Sequence, residues 1–229
     1  MLDELRERVL AANLALPAHG LVKLTWGNVS GIDRDHGVVA IKASGVDYDR
    51  MTVQDIVLVG LDHGEVVDGE RRPSTDTRTH LALYRAFTAV GGIVHTHSTW
   101  ATAWAQAERE IPVLGTTHAD LTADPIPLTR PLTPDEVTED YEAATGAVLV
   151  EAVGDRYEER PCALVRAHGT FCWGQDPETA IQNAVTLEEV ARLALLSVVL
   201  RPESGPLDPV VRDKHHQRKH GAHSYYGQA

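Results

Sequence analysis

A chain of 229 residues is long enough to bury a full core, and a single domain over 1–229 is the simplest count. Its composition is 43% hydrophobic and only 5% aromatic, with no apolar run of the roughly 18 residues a membrane span needs and a first stretch charged from Asp3, so a cytoplasmic protein is expected. A formal net charge of −12 argues against nucleic-acid and anionic-membrane partners but leaves room for a phosphorylated small molecule in a local pocket.

In chain order, Leu2, Leu5, Val9, Ala12 and Leu16 recur at helical spacing and stop at Pro17 and Gly20, predicting an amphipathic first helix. Residues 25–30 and 38–42 read as strands joined through Asp33-Arg34-Asp35-His36-Gly37, which has hairpin chemistry. Ile56 to Leu61, then Asp62-His63-Gly64, then Glu65-Val66-Val67 repeat the pattern. Pro73-Ser74-Thr75-Asp76-Thr77 precedes a helix carrying Leu81, Tyr84 and Phe87, and a strand with His95 and His97 follows. Ser98 reads as the N-cap of a helix running through Trp104. Thr133-Pro134-Asp135-Glu136 has the hydroxyl, proline and glutamate of a capping box, and opens a helix that Gly146 is expected to close. Ala163-Leu164-Val165 predicts a short buried strand that delivers His168-Gly169. Asp176-Pro177 opens a long helix whose Ile181, Ala184, Leu187, Ala191 and Leu195 face a core, and a basic last helix holds Lys214, His215, Arg218, Lys219 and His220. Cys162 and Cys172 lack C-x-x-C spacing and read as buried small hydrophobes. Hairpins with helices between them predict an α/β layered domain around a largely antiparallel sheet.

The chemistry gathers at strand ends. Ile93 and Val94 lead into His95-Thr96-His97, and residues two apart on a strand face the same way, so both imidazoles can reach one point. Two exposed strand histidines are the plainer alternative. His168 supplies a third imidazole beside Gly169, or else a neutral hydrogen-bonded core histidine. Three nitrogen ligands leave a position open for water or substrate, which is the composition of a catalytic zinc site rather than a structural one. Gly27-Asn28, Ser44-Gly45 and Ser74-Thr75 each offer donors to a phosphate, the last beside a helix N-terminus; each is also an ordinary turn or cap. Asp76 has three possible roles there: helix cap, oxygen ligand to the metal, or base.

The stretches Thr25-Trp26-Gly27-Asn28-Val29-Ser30, Lys42-Ala43-Ser44-Gly45-Val46, Pro73-Ser74-Thr75-Asp76-Thr77, His95-Thr96-His97-Ser98 and Gly115-Thr116-Thr117-His118-Ala119-Asp120 occur in this order. With the tail from Lys219-His220-Gly221 to Tyr225-Tyr226-Gly227-Gln228, they resemble the L-ribulose-5-phosphate 4-epimerases of the class II aldolase family from end to end. The resemblance implies a three-layer α/β/α sandwich, a zinc ion and a homotetramer with sites between neighbouring subunits, to which the tail (about 210–229) contributes. By position it implies His95, His97, His168 and Asp76 as metal ligands, Gly27, Asn28, Lys42, Ser44, Gly45, Ser74 and Thr75 as substrate-binding, and Asp120 and Tyr226 as an acid/base pair supported by His215. Departures are small: Thr75 replaces an expected serine, Leu121-Thr122 a more aromatic stretch, and Ala167 a serine. None removes a ligand or an acid/base group.

The implied reaction interconverts L-ribulose 5-phosphate and D-xylulose 5-phosphate, with L-arabinose catabolism as its expected setting. C4 of a 2-ketopentose bears no acidic proton, so inversion proceeds by cleaving C3–C4 to an enediolate and glycolaldehyde phosphate and re-forming the bond on the other face. Neutral histidine ligands would leave the charge of the metal available to the C2 and C3 oxygens, and each aldehyde face needs its own proton carrier, a carboxylate and a phenol. A class II aldolase acting on a sugar 1-phosphate is the second reading; there a glutamate is expected in place of Asp76, and no such tail. A non-enzymatic scaffold, as in the adducin head region, is the third, and would be expected to lack the three histidines.

Overall fold

Short strands buried at nearly every position build the centre of the molecule, as seen in a computed structural model that describes residues 2–222, 224 and 225. β1 (Gly27–Asp33), β2 (Val38–Lys42), β3 (Ile56–Gly60), β4 (Val66–Asp68), β5 (Gly92–Thr96), β6 (Cys162–Val165) and β7 (Gly169–Gly174) form one sheet in the order β4-β3-β2-β1-β5-β7-β6. Every pairing is antiparallel. Because successive side chains alternate faces, β2 sends Val38 and Ala40 to one side and Val39 and Ile41 to the other; β6 divides Cys162 and Leu164 from Ala163 and Val165 in the same way.

Each face is covered by helices, giving the expected three layers. α1 (Leu2–Ala18), α3 (Thr99–Gln106) and α6 (Pro177–Leu200) pack their apolar sides, among them Val9, Leu16, Trp104 and Leu187, on the first face. α2 (Thr77–Ala86) and α5 (Pro134–Val153) place Leu81, Tyr84 and Leu149 on the second. Burying each such side chain contributes about 1.5–3 kcal/mol, which is why both faces must be roofed. α4 (Thr116–Leu121) and α7 (Pro209–His220) pack on each other at one side. Cys162 and Cys172 lie fully buried and opposite one another across β6 and β7. Among the described residues no helix is long and apolar enough to cross a membrane.

The structure corrects several expectations. The first strand starts at Gly27 and runs to Asp33, leaving Trp26 in the preceding loop, 55% exposed. Ser98 occupies the N-cap of α3 but makes no capping bond; Glu188 of α6 accepts from the Trp100 and Ala101 amides instead, at 2.8 and 3.0 Å. The capping box at Thr133 and Glu136 forms, yet the helix continues past Gly146 to Val153 and turns at Gly154, whose φ is +64°. Gly146 serves closeness rather than termination: a Cβ there would come within 2.5 Å of the Ala82 methyl, so its absence lets α5 lie on α2. α4 and β7 were not expected from the sequence.

Candidate active site

Sheet register does most of the assembly. Asn28 of β1 lies opposite His95 of β5, and His95 lies opposite Phe171 of β7, so three distant segments meet in one row on the α2 face. The His95 ring stacks on Phe171 at 4.3 Å, and its Nδ1 donates to the Thr170 carbonyl at 3.0 Å. A carbonyl only accepts, so Nδ1 of His95 carries a proton, and in the neutral ring the lone pair is on Nε2. His97 follows directly, just past the end of β5, with its Nε2 3.2 Å from Nε2 of His95. The turn from β6 to β7 brings in His168. One ligand atom from each of His95, His97 and His168 falls within 4.8 Å of the others.

Close approach at this point depends on two glycines. A Cβ on Gly169 would sit 2.6 Å from the Thr96 carbonyl oxygen and 3.4 Å from both His95 and His97. The glycine beside His168 is therefore needed for space rather than for a turn. Gly27 has φ +140° and would bring a Cβ 2.9 Å from the His95 carbonyl. The turn itself holds Ala167 at φ +57°, a conformation a non-glycine residue rarely adopts and one that clusters at functional sites.

The donor set fits a metal ion. Two nitrogens bonded to one tetrahedral ion at roughly 2.0–2.1 Å would lie about 3.3 Å apart, close to the 3.2 Å between His95 and His97. Burial, and then the neighbouring His95 and His97, push His168 down to about 4. Burial and then His95 also lower His97. Both rings are thus neutral at neutral pH, with lone pairs available to a cation.

The histidines line a cavity of 590 Å³ together with Gly27, Asn28, Lys42, Ser44, Gly45, Ser74, Thr75 and Asp76. Asp76 stands at the N-cap of α2 without capping it; its Oδ2 accepts from the Asn28 amide at 2.6 Å and from the Ser74 hydroxyl at 3.3 Å. Burial would raise this carboxyl, but His95, His80 and the Asn28 hydrogen bond outweigh it and hold it below its usual range. It lies outside the tight histidine group. Lys42 is 2% exposed, donates to the Ala43 carbonyl at 3.2 Å and lies 5.2 Å over the Tyr48 ring, while Tyr48 donates to the Gly27 carbonyl at 2.7 Å. Burial lowers the Lys42 ammonium against the pull of Asp47, Asp55 and Asp76. Amide hydrogens of Ser44 and Ser74 are taken by Arg72 and Lys42 carbonyls, so Ser44 offers its hydroxyl to a ligand, whereas the Ser74 hydroxyl accepts from the Asn28 amide at 3.0 Å and donates to Asp76.

Asp120 and His215 are together, but not here. Asp120, on α4, receives Arg218 on both carboxylate oxygens at 3.2 and 2.8 Å and His215 at 3.2 Å. Its backbone carbonyl accepts from His220 at 2.8 Å. Burial alone would raise its carboxyl; the Arg218 and His215 hydrogen bonds prevail and lower it. Asp120 opens on a separate cavity of 940 Å³ shared with α7 and the start of α6. Tyr226 lies outside the described residues. Its neighbour Tyr225 turns back, its amide bonded to the Arg218 carbonyl at 2.9 Å and its ring 5.3 Å from the Lys214 ammonium.

Sequence reasoning missed four lining or supporting residues. Trp26 was quoted only within a motif, Tyr48 holds Lys42 from a short 3-10 turn, and Tyr141 and Glu142 enter the cavity from α5. The last two have a faint signal, an aspartate inside a predicted helix, because α5 is interrupted at Asp140, where φ is −159° and ψ is 79°.

Residues 7–195 match the family described as Class II Aldolase and Adducin N-terminal domain. The chain is 51% identical over 228 residues to proteins named L-ribulose-5-phosphate 4-epimerase UlaF from Salmonella paratyphi B and Salmonella paratyphi A, covering 99% of this chain and 100% of each relative. In fold it is similar to a solved L-fuculose 1-phosphate aldolase, with a TM-score of 0.80 at 23% identity over 94% of this chain and 95% of that one. The corresponding enzyme from Glaciozyma antarctica aligns with a TM-score of 0.79 at 19% identity over 94% and 81%. The chain therefore belongs to the class II aldolase and adducin N-terminal domain family.

Proposed function

We propose that this chain is a metal-dependent L-ribulose-5-phosphate 4-epimerase that converts its substrate to D-xylulose 5-phosphate by cleaving and remaking C3–C4. The observation that carries the proposal is the convergence of three histidines on the cavity that also holds Lys42, Ser44 and Ser74. End-to-end similarity to relatives bearing the epimerase name supports the same substrate.

His95, His97 and His168 would hold the ion, zinc by resemblance, with Asp76 at or near it. Bound there, it supplies Lewis-acid stabilisation of charge developing on the C2 and C3 oxygens. Lys42, Ser44, Gly45, Ser74 and Thr75 bind the phosphate and keep glycolaldehyde phosphate from diffusing away between cleavage and re-addition. Gly27 and Asn28 shape the floor, and Asn28 also orients Asp76. Asp120 and Tyr226 carry protons to and from the C4 oxygen on opposite faces, with His215 supporting the tyrosine. In this reading these groups act on the site of a neighbouring subunit in a homotetramer, which is supported by Asp120 opening on a different cavity of its own chain. The tail from about residue 210 is the arm that brings His215 and Tyr226.

The test is a comparison of L-ribulose 5-phosphate with L-fuculose 1-phosphate as substrates of the purified protein. D-xylulose 5-phosphate formed from the first should outpace dihydroxyacetone phosphate released from the second; the reverse order would make the protein an aldolase.

A further inference from the structure

His95 and His168 each give Nδ1 to a hydrogen bond, but their partners differ in kind. His95 faces a backbone carbonyl, which fixes its tautomer outright. His168 faces the Tyr141 hydroxyl, with Nδ1 3.1 Å from the phenol oxygen. A hydroxyl can donate or accept, so this bond has two states. If the phenol donates, the His168 proton sits on Nε2 and that nitrogen has no lone pair to give. If Nδ1–H donates, Nε2 is free to ligate, and the phenol O–H turns elsewhere.

Tyr141 is held for such a task although it is 37% exposed. The break at Asp140 starts a fresh helical segment: Asp140 Oδ1 accepts from the Ala143 amide at 3.3 Å in the manner of an N-cap, and its other oxygen pairs with Arg78 of α2. Thr145 Oγ1 donates to the Tyr141 carbonyl at 2.8 Å, and Thr79 Oγ1 donates to the next carbonyl, Glu142, at 2.7 Å. The interruption thus places Tyr141 at the first position of a capped helix, its ring 6.0 Å from that of His168 and its side chain lining the 590 Å³ cavity.

We infer that Tyr141 is a positioning residue for the metal centre: its phenol oxygen accepts the Nδ1 proton of His168, fixing the ring with Nε2 toward His95 and His97, and its own O–H is thereby released into the cavity. This rests on the metal reading proposed above. Outer partners of this kind typically raise metal affinity by roughly ten- to a hundredfold.

Wild type and Tyr141→Phe, stripped of metal, are titrated with Zn2+ against a chromophoric chelator, and their thermal midpoints are recorded with and without Zn2+. The variant should bind Zn2+ roughly ten- to a hundredfold more weakly, with an unchanged metal-free midpoint and a zinc-induced rise that needs correspondingly more metal. Equal affinities overturn the inference, as does a fall in the metal-free midpoint with affinity intact, which would assign Tyr141 to packing. If the affinities differ as expected while L-ribulose 5-phosphate is not turned over, the inference stands and the substrate reading fails. A wild type that binds no divalent ion removes both the metal reading and this inference.

Discussion

The histidine cavity and the Asp120 patch are built on opposite plans. The cavity draws on β1, β2, β5, the β6–β7 turn and α2, segments fixed by ladder hydrogen bonds and by a packed layer beneath them. The Thr170 carbonyl and the Phe171 ring set the Nδ1 proton and the plane of His95 before any ligand arrives. The patch rests on a six-residue helix and on α7, which has no buried residue, and it is joined by the Arg218–Asp120 ion pair and a His215–Asp120 hydrogen bond between part-buried groups. Rigid layers suit ligands that must meet one ion to within tenths of an ångström; an appendage suits groups that must reach another molecule. In the single chain Asp120 is engaged by Arg218 and His215, so the proposed action on a neighbour's site requires that these contacts be exchanged.

Breaking the rigid half should cost most. His97→Asn should remove the ion and the activity together, by about a thousandfold or more, since several kcal/mol of charge stabilisation disappear at about 1.36 kcal/mol per tenfold. Metal analysis of the wild type should give about one divalent ion per chain; full turnover after exhaustive chelation would refute the metal-centred account. Damage to the Asp120 half should look different. Asp120→Asn should lower kcat by roughly a hundred- to ten-thousandfold as a proton carrier is lost, with metal content unchanged, and parallel loss of metal would place Asp120 in the wrong half.

Smaller effects sharpen the contrast. Ser44→Ala removes one hydroxyl from the phosphate pocket, worth on the order of 1.5–3 kcal/mol, and should raise KM by roughly tenfold or more while sparing kcat. An unchanged KM would move the phosphate elsewhere. Each half also has a buried neutral histidine: burial pushes His80, behind the cavity, to about 3 and His118, in α4, to about 4. Both folded values lie below the unfolded value of about 6.5, so between there and the folded values the unfolded chain binds protons that the folded chain refuses. Stability should be complete above about pH 6.5 and fall on acidification by up to about 1.4 kcal/mol per pH unit for each group. Denaturant titrations across that range should show a shallower slope for His118→Gln, and an identical slope would remove His118 from the acid response.

Legibility in the sequence followed the same division. Strands with continuous apolar runs, the capping box at Thr133 and the His95–His97 pair are local patterns, and the structure places them where periodicity did. β7 escaped because its glycine ends and Cys172 mimic a connecting segment, and α4 because six residues carry no helical period. The Glu188 cap on α3 joins residues 88 apart, and the Arg218 bond to Asp120 joins residues 98 apart; nothing local announces either. Tyr141 was hidden by a helical pattern that runs on through the break at Asp140. Asp120 and Tyr226 were proposed from family resemblance alone, since an aspartate and a terminal tyrosine carry no chemical signature without the partner they serve.

That partnership is the centre of the account, and mixed oligomers test it most directly. His97→Asn chains and Asp120→Asn chains, each inactive by itself, are unfolded, mixed in equal amounts and reassembled, and mixed composition is verified by mass. If the histidine cavity of one chain works with the Asp120 of the next, random assembly should restore activity at roughly a quarter of the sites. Verified mixed oligomers that stay as inactive as their parents would contradict a site shared between subunits.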